Sequence, residues 1–527
     1  MKKKNNLFKV VGLVFLVYLV LSWIIPAVSS LGVDLKSATR VQAGLSSFVS
    51  VPVEAIGYFI NIVLFVLLVG VFYAILEETG VYDKTLEKIA NKMKGKEKIF
   101  LIATIVIIAI ISSVVGLELG LFFIYPFVIS LLLLMGYDKL TALTATLGAT
   151  VVGIYGSTLS GVMYSVSNSI TNSLAASISS DAKEVTLYSN ILVKVGLLVL
   201  GLAALLFFVL RRAGKVKAVV SSKKEEVKEE IKKDVKKEVK KEAKPKKPAK
   251  SKGKKNKKDV KKAFAKEEVV IKERATRKVW PLIVVVSIVC VIFILGTIDF
   301  ESLGTSVFVK FDEWVRGIKI GDFAIFDKLF GSIGALGTWA NFEGLSTSVR
   351  FTNYSIILFI ASIAIAIIYK IKPSRCFEAV ERGIKDYIVP AVLTAIAYSV
   401  FVLVVYYPAF NTIGTWIINL TKHFNVALAG LFSMISSVLY VGPFYSVGYS
   451  MSFLAQQLGK PELFGLLSVM YTNLYGLMML IAPTSVLLLT SLSITEVSYK
   501  EWLKYIWKLF ALLFVISFIV FAILFLI

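Results

Sequence analysis

The chain has 527 residues, 57% of them hydrophobic, a mean hydropathy of +0.78 and a formal net charge of +24. This composition lies outside the soluble globular range and marks a polytopic membrane protein. One histidine (His423) and two separated cysteines (Cys290 and Cys376) argue against a disulfide framework, a zinc hydrolase and His-based catalysis, and no Walker A pattern supplies an ATP motor.

The first apolar segment, Leu7 to Val28, follows Met1-Lys-Lys-Lys. Its length and the lack of a small-residue cleavage site predict a span, not a signal peptide, with the N-terminus in the cytoplasm. Residues 29–50 are expected outside, and a second span runs from Ala55 to Leu76. The loop Glu77 to Lys98 holds six lysines and reads as cytoplasmic. Ile99 to Met135 follows, interrupted at Gly116-Leu-Glu-Leu-Gly120. Its arms, roughly 17 and 15 residues, fall short of the roughly 20 that a crossing needs, which predicts a re-entrant hairpin. After the return loop Gly136 to Lys139, Leu140 to Tyr164 crosses outward. Ser165 to Val185 is expected to be an outside loop, and Leu187 to Leu210 crosses back, ending at Arg211-Arg212.

Arg211 to Lys278 carries 25 Lys and 4 Arg against 11 acidic residues, so +18 of the net charge sits in one low-complexity insert. Its first part has Glu–Lys pairs at i,i+4 and predicts a charged helix. Its second part, PKKPAKSKGKKNKK, predicts no fixed structure. Residues 213–278 therefore read as a solvated cytoplasmic linker, with contact to anionic lipid headgroups as the functional alternative. Nucleic acid is not an expected partner, because no aromatic residues are interleaved with the lysines.

Trp280 to Leu295 then crosses outward within a linking segment, residues 279–297. Residues 298–350 are expected outside, as interfacial helices. Tyr354 to Tyr369 crosses inward, and Lys370 to Asp386, with five basic residues, reads as a cytoplasmic segment. Ile388 to Tyr406 crosses outward. Phe424 to Leu458 forms a second hairpin, Leu463 to Leu492 crosses inward with a break at Ala482-Pro-Thr-Ser485, and Trp502 to Ile527 crosses outward. The lone span at 280–295 inverts the second half. The predicted fold is an all-α polytopic membrane protein of two inverted repeats, residues 1–212 and 351–527, each with a re-entrant hairpin and a broken transmembrane helix.

Two stretches carry the candidate site. Ser112 to Val162 and Ser436 to Leu489 each hold a serine pair, a Gly-containing interruption, a Gly-led loop and a segment broken near its far end. Ser112-Ser113 match Ser436-Ser437 at an offset of 324, and Thr158 matches Thr484 at 326. Backbone freed inside a membrane is tolerated only where protein buries it or a cavity solvates it. Paired interrupted segments are how transporters build substrate and ion sites. The candidate residues are Ser112, Ser113, Gly116, Glu118, Gly120, Gly156, Ser157, Thr158 and Ser160 in the first stretch, and Asn473, Thr484 and Ser485 in the second. Helix N-termini at the breaks offer N–H groups to a carboxylate. The oxygens of Ser157, Thr158, Thr484 and Ser485 suit a Na⁺ ion. No resident cofactor or metal is expected, and the coupling ion is Na⁺ or H⁺. Asn473, like Asn61, also fits a helix–helix hydrogen-bonding role. Glu118 is flanked by Leu117 and Leu119, and neither stretch supplies a cation outside the return-loop residues Lys139 and Lys460. Its expected partner is the transported cation or the cationic end of the substrate.

Gly116-Leu-Glu118, Phe123-Ile-Tyr125-Pro126 and Leu134-Met-Gly136-Tyr-Asp138, followed far downstream by Ala482-Pro-Thr-Ser485 and Tyr499-Lys-Glu-Trp502-Leu-Lys504, resemble the C4-dicarboxylate anaerobic carrier family, and within it the YfcC-like branch of basic amino acid antiporters. The resemblance covers most of both halves but not the insert. Departures fall at Leu119, Ser160-Gly161, Leu474-Tyr475-Gly476 and Tyr440-Val-Gly442-Pro443. The resemblance implies a homodimer with an elevator-like movement in the cell membrane.

The leading expectation is a secondary transporter, symporter or antiporter, of amino acids or related small carboxylates. The absence of a local cation tilts it from a C4-dicarboxylate carrier towards an amino acid carrier. A membrane insertase or scaffold with a basic RNA- or lipid-binding segment is the rival from another class. The charge bias makes one direct prediction. The N-terminus and residues 213–278 share the cytoplasmic side, so a cysteine engineered near Lys250 should resist an impermeant thiol reagent in sealed cells. One placed in residues 298–350 should react.

Overall fold

Lipid offers no partners to backbone N–H and C=O groups, so a chain of this composition satisfies them within helices. A computed structural model describes residues 2–238, 277–300, 302–325, 347–421 and 423–526. The first half runs α1 (Lys2–Ile24), α2 (Ser47–Glu78), α3 (Tyr82–Lys92) and a hairpin of α4 (Glu97–Val115) and α5 (Tyr125–Leu134). Then come α6 (Lys139–Leu143), a π-turn at Thr144–Gly148, α7 (Ala149–Tyr155), α8 (Gly161–Ile178) and α9 (Ile191–Glu238). A linking helix, α10 (Trp280–Leu295), an amphipathic helix, α11 (Val307–Gly317), and a two-stranded ribbon (Lys319–Ile320 with Phe323–Ala324) follow. The second half is α12 (Thr347–Ile368), α13 (Pro373–Tyr406), α14 (Ala409–Ile418), a hairpin of α15 (Val426–Leu439) and α16 (Pro443–Leu458), α17 (Phe464–Met478), α18 (Val486–Thr495) and α19 (Tyr499–Leu524). Two long helices, a short helix, a hairpin, a broken helix and a last long helix thus occur twice in the same order.

Among the described residues, seven helices are long and apolar enough to cross a membrane, so the all-α polytopic class expected from sequence is met. The second hairpin's arms have 14 and 16 residues, under the roughly 20 of a full crossing. The first hairpin differs from its sequence reading, because α4 reaches 19 residues and qualifies as a span by itself.

The frame is the pair α2–α13, packed along most of its length. Gly70 and Gly383 meet there, and a Cβ built on either would lie 2.6 Å from the other's carbonyl oxygen. Close backbone approach at small residues is the packing mode that works where lipid supplies no hydrophobic drive between helices. At one end Arg382 Nη2 donates to the Ala74 carbonyl at 3.1 Å, and Arg375 pairs with Glu78 at 3.4 Å. Nearer the middle, α2 bends at Phe59 (φ −116°, ψ 19°), whose ring stacks on Tyr398 of α13 with centroids 4.0 Å apart. The hairpins and broken helices pack on one another: α4 on α7, α15 on α17, α16 on α8, and the tip of the first hairpin on α18, which also packs on α13 of the frame.

The return loop of the first hairpin is pinned by Asp138, the N-cap of α6, which accepts from the Thr141 N–H at 3.2 Å and from Arg212 Nη2 of α9 at 2.5 Å. Burial disfavours the charge on Asp138, but the Arg212 guanidinium and the Thr141 donors outweigh it and hold the carboxyl below the usual aspartate range. The anchor is therefore in place at neutral pH and is lost as pH falls through that lowered value.

Several segment assignments are corrected. Ser165 to Val185 is not an outside loop, because α8 continues to Ile178. Its hydroxyls bond back along the helix, Ser167 to the Tyr164 carbonyl and Thr171 to the Ser167 carbonyl, so a Ser- and Asn-rich sequence stays helical where α16 packs on it. The broken helix therefore continues past the break to Ile178. The basic segment after Lys370 is the start of α13, and the loop after Glu77 contains α3. The charged helix expected in the first part of the insert is present, continuous with the preceding span, since α9 runs on to Glu238. Residues 239–276 and 326–346, parts of the insert and of the outside segment, lie outside the described residues.

The glycine contact is testable. Gly383→Ala drives a methyl into the α2 backbone, a form of overpacking that costs about 1–3 kcal/mol. The melting temperature in detergent should fall relative to Gly448→Ala, where an added Cβ meets nothing within 4 Å.

Candidate functional site

The first hairpin turns because α4 stops at Gly116, which adopts φ 78°, and because a Cβ there would lie 2.0 Å from Ser160 Oγ. Two residues on, Glu118 also has positive φ (43°), a conformation uncommon for a residue with a side chain and one that collects at functional sites. A 3-10 stretch, Glu118–Ile124, then leads into α5, with Pro126 in its first turn. This geometry sends the Glu118 carboxylate into the interior, where it is 8% exposed and accepts from the Tyr475 hydroxyl of α17 at 2.7 Å. The second hairpin turns at Gly442 (φ 94°), with Pro443 opening α16. The second break meets it there: Thr484 Oγ1 donates to the Val438 carbonyl at 2.5 Å, and Ser485 Oγ caps α18 by accepting from the Leu488 N–H at 3.3 Å.

Glu118, Tyr398, Ser437, Gly442, Thr484 and Ser485 line one cavity of ≈ 20 Å³ between the two hairpin tips and the second break. That volume holds about one water molecule. In this conformation the cavity is too small for an organic substrate.

A charge that the sequence reading missed lies beside this cavity. Arg350, in the first turn of α12, is 4% exposed, and its Nε and Nη1 have no hydrogen-bond partner among the described residues. The next residue, Phe351, lines the cavity, and the field of the Arg350 guanidinium reaches Glu118 and Tyr398. The expectation that Glu118 has no protein cation nearby is therefore corrected. The signal was present, since Arg350 directly precedes the apolar run 351–369, but it had been assigned to an outside segment.

The other candidates gather at the first break, behind the first hairpin tip. Ser113 Oγ donates to the Gly156 carbonyl at 2.7 Å and lies 3.1 Å from Thr158 Oγ1. The Thr158 N–H donates to the Ser113 carbonyl at 2.9 Å, and Ser157 Oγ reaches the same oxygen at 3.4 Å. Ser160 Oγ caps α8, accepting from the Met163 N–H. A second missed residue joins them: Lys194 of α9, 2% exposed, donates to the Thr158 carbonyl at 3.3 Å and the Leu187 carbonyl at 2.8 Å.

The remaining candidates take up packing positions. Ser112 Oγ donates to the Thr150 carbonyl at 2.8 Å. Gly120 abuts Tyr354, and Gly156 abuts the Leu198 backbone. Asn473 Nδ2 donates to the Tyr155 carbonyl at 2.8 Å, while its Oδ1 accepts from Ser517 at 2.7 Å, so it ties α17 to the first break and to α19. Among the described residues no three His, Cys, Asp or Glu side chains cluster as metal ligands. A larger groove, of ≈ 610 Å³, lies between α9 and α19, away from Glu118, and is lined by Arg211, Lys215, Lys504 and Lys508.

The family model described as C4-dicarboxylate anaerobic carrier matches residues 31–249 and 243–526. No curated protein and no solved structure gives a match.

The Tyr475–Glu118 contact joins the two halves at the cavity wall. Tyr475→Phe leaves a buried carboxylate short of a donor, a loss of about 1–3 kcal/mol. The melting temperature should fall, and most of the loss should vanish when Glu118→Gln is combined with it. Additive losses in that double-mutant cycle would mean that the contact is not energetic.

Proposed function

Since the chain belongs to the C4-dicarboxylate anaerobic carrier family, and is therefore a multi-pass membrane transporter, we propose that it carries amino acids or related small carboxylates by secondary active transport. The observation that supports this reading is the buried pair of opposite charges at one closed cavity. Among the described residues two nitrogens of Arg350, Nε and Nη1, have no hydrogen-bond partner, and Glu118 accepts from one neutral donor. An amino acid answers both, its carboxylate on the Arg350 guanidinium and its ammonium on Glu118. Burying either charge of the protein without such an answer is costly.

The second reading, a C4-dicarboxylate, is favoured by the family's own description. Arg350 and the N-terminus of α18 would then take one carboxylate each. Glu118 would have to be protonated, since three carboxylates around one guanidinium repel. The family replaces the insertase reading for this chain.

The transport movement we propose is elevator-like. The hairpins and broken helices move as a body against the α2–α13 frame in a homodimer, with the second repeat inverted relative to the first and the N-terminus and the Lys-rich insert in the cytoplasm. Supporting it are the repeated element order, the cavity too small for substrate and the long continuous packing of the frame. The basic groove between α9 and α19 suits anionic lipid headgroups.

Exchange of labelled acidic, neutral and basic amino acids and of succinate in proteoliposomes tests the reading. Arg350→Gln should raise KM at least about tenfold for the transported class, corresponding to ~1.4 kcal/mol. Glu118→Gln should cut amino acid exchange about as strongly, yet spare succinate exchange if succinate is the substrate. Wild-type kinetics in Arg350→Gln would remove the guanidinium from the site.

A further inference from the structure

Helix breaks inside a membrane need donors for their freed carbonyls, and the two halves of this chain supply them from matching places. Lys194 is the fourth residue of α9, and Trp502 is the fourth residue of α19. Lys194 donates to the Thr158 carbonyl of the first break, and Trp502 Nε1 donates to the Leu480 carbonyl of the second at 2.8 Å. The second break is thus served by a neutral indole, with the Tyr499 hydroxyl on the Ile481 carbonyl beside it. Capping a break in this fold does not require a charge, so the lysine calls for another reason.

The surroundings of Lys194 supply one. Its Nζ lies on two carbonyls and 3.7 Å from the centroid of the Tyr164 ring, whose own hydroxyl donates to the Ser157 carbonyl at 2.9 Å. Among the described residues, Tyr155 of α7, Tyr164 of α8 and Tyr471 of α17 are the titratable side chains of the helices packed at this end, and Lys460 and Glu462 lie at the 461–463 turn that packs on α8. Asp181, Lys183, Glu184 and Tyr188 lie in the exposed loop before α9. Arg211, Arg212, Lys215, Glu501, Lys504 and Lys508 face the groove that begins at Ala204, roughly 15 Å or more along α9 at 1.5 Å per residue. Asp138 is tied to Arg212 at that far end, with Lys139 beside it, and Glu97 and Lys98 begin the far end of α4. Among the described residues Lys194 forms no ion pair, and its bonded partners are two backbone carbonyls. A neutral amine keeps two N–H groups, one for each carbonyl, so losing a proton orphans neither.

We propose that Lys194 is the proton-coupling group of this carrier. Its amine takes up a proton from water on one side of the membrane and returns it to water on the other. Its ammonium fills the place among the Ser157 and Thr158 oxygens where a Na⁺ ion was expected. The link to the substrate is short. Thr158 bonds to Ser113, three residues before Gly116, and Gly116 leads to Glu118 at the cavity. The proposal rests on the transporter reading and adds the coupling ion to it.

Proteoliposomes carrying wild type, Lys194→Met or Lys194→Arg, free of Na⁺ on both sides, separate the possibilities. For each protein the probe, a transported amino acid or succinate, is measured in equal exchange and in uptake driven by an imposed pH gradient. The ratio of driven uptake to exchange should fall at least about tenfold in both variants, since methionine holds no proton and a guanidinium does not release one. An unchanged ratio and pH profile in Lys194→Met overturns the proposal. A second measurement is independent of the substrate. The difference in melting temperature between wild type and Lys194→Met should change by about 3 °C or more between about pH 5.5 and 9. A constant difference overturns the proton role, whatever is carried. A changing difference in a protein that exchanges none of the probes upholds the titration of Lys194 and overturns the substrate reading alone.

Discussion

Two breaks in otherwise helical backbone, both buried, set the terms for the rest of the fold. Each releases carbonyls that lipid cannot solvate, and each unmet group would cost several kcal/mol in a hydrocarbon setting. The chain meets them one by one. Ser113 serves Gly156, Tyr164 serves Ser157, Lys194 serves Thr158, and Asn473 serves Tyr155 from the opposite half. At the second break Trp502 serves Leu480 and Tyr499 serves Ile481. The placement of α9 and α19 beside the breaks, and the contact of α7 with α17, follow from where these donors must be. Gly476 is part of the same solution, since a Cβ there would lie 2.6 Å from the Tyr155 nitrogen and hold the two half-helices apart.

The donors also explain why the site is built from both halves at once. Glu118 comes from the first hairpin and its hydroxyl partner, Tyr475, from the second broken helix. The second hairpin is held to the second break through Val438 and Thr484, while its far arm α16 packs on α8 of the first half. Both tips are packed as well as hydrogen-bonded: Leu117, Leu119, Phe122 and Phe123 at the first and Tyr440 and Val441 at the second are buried in the core.

Composition and periodicity made the architecture legible. Spans, interruptions and return loops fall close to where hydropathy and glycine place them, and the serine pairs and Thr158/Thr484 that carried the internal repeat lie at corresponding points of the two hairpins and breaks. What failed had physical causes. Polar content predicted a loop at 165–178, but Ser167 and Thr171 hydroxyls spend their bonds on the preceding turn and leave the helix intact. Glu118, Thr484 and Ser485 were found as cavity residues because a carboxylate and hydroxyls at a break stand out in an apolar stretch. Arg350 and Lys194 were not, because each lies on a neighbouring helix and only tertiary packing brings it to the break. A search confined to the broken stretches saw no cation, although two were within reach.

Those two cations change the electrostatic balance of the membrane interior. With Glu118 ionised, Arg350 and Lys194 both charged leave one net positive charge among three buried groups. Arg350 is always charged, whereas lysine and glutamate are not. Were Arg350 in direct contact with Glu118, the pair would be satisfied in every state and would have nothing left for a ligand. Among the described residues Arg350 Nε and Nη1 have no partner, and Tyr475 takes the bond to the carboxylate. In the proposed function this guanidinium is the partner of a substrate carboxylate. Glu118, set on a strained hairpin tip, is in the same proposal the partner of the substrate's ammonium. Under the function and coupling proposed above, the arrangement divides the work between a fixed positive charge for a carboxylate and two titratable groups, at the tip and at the first break.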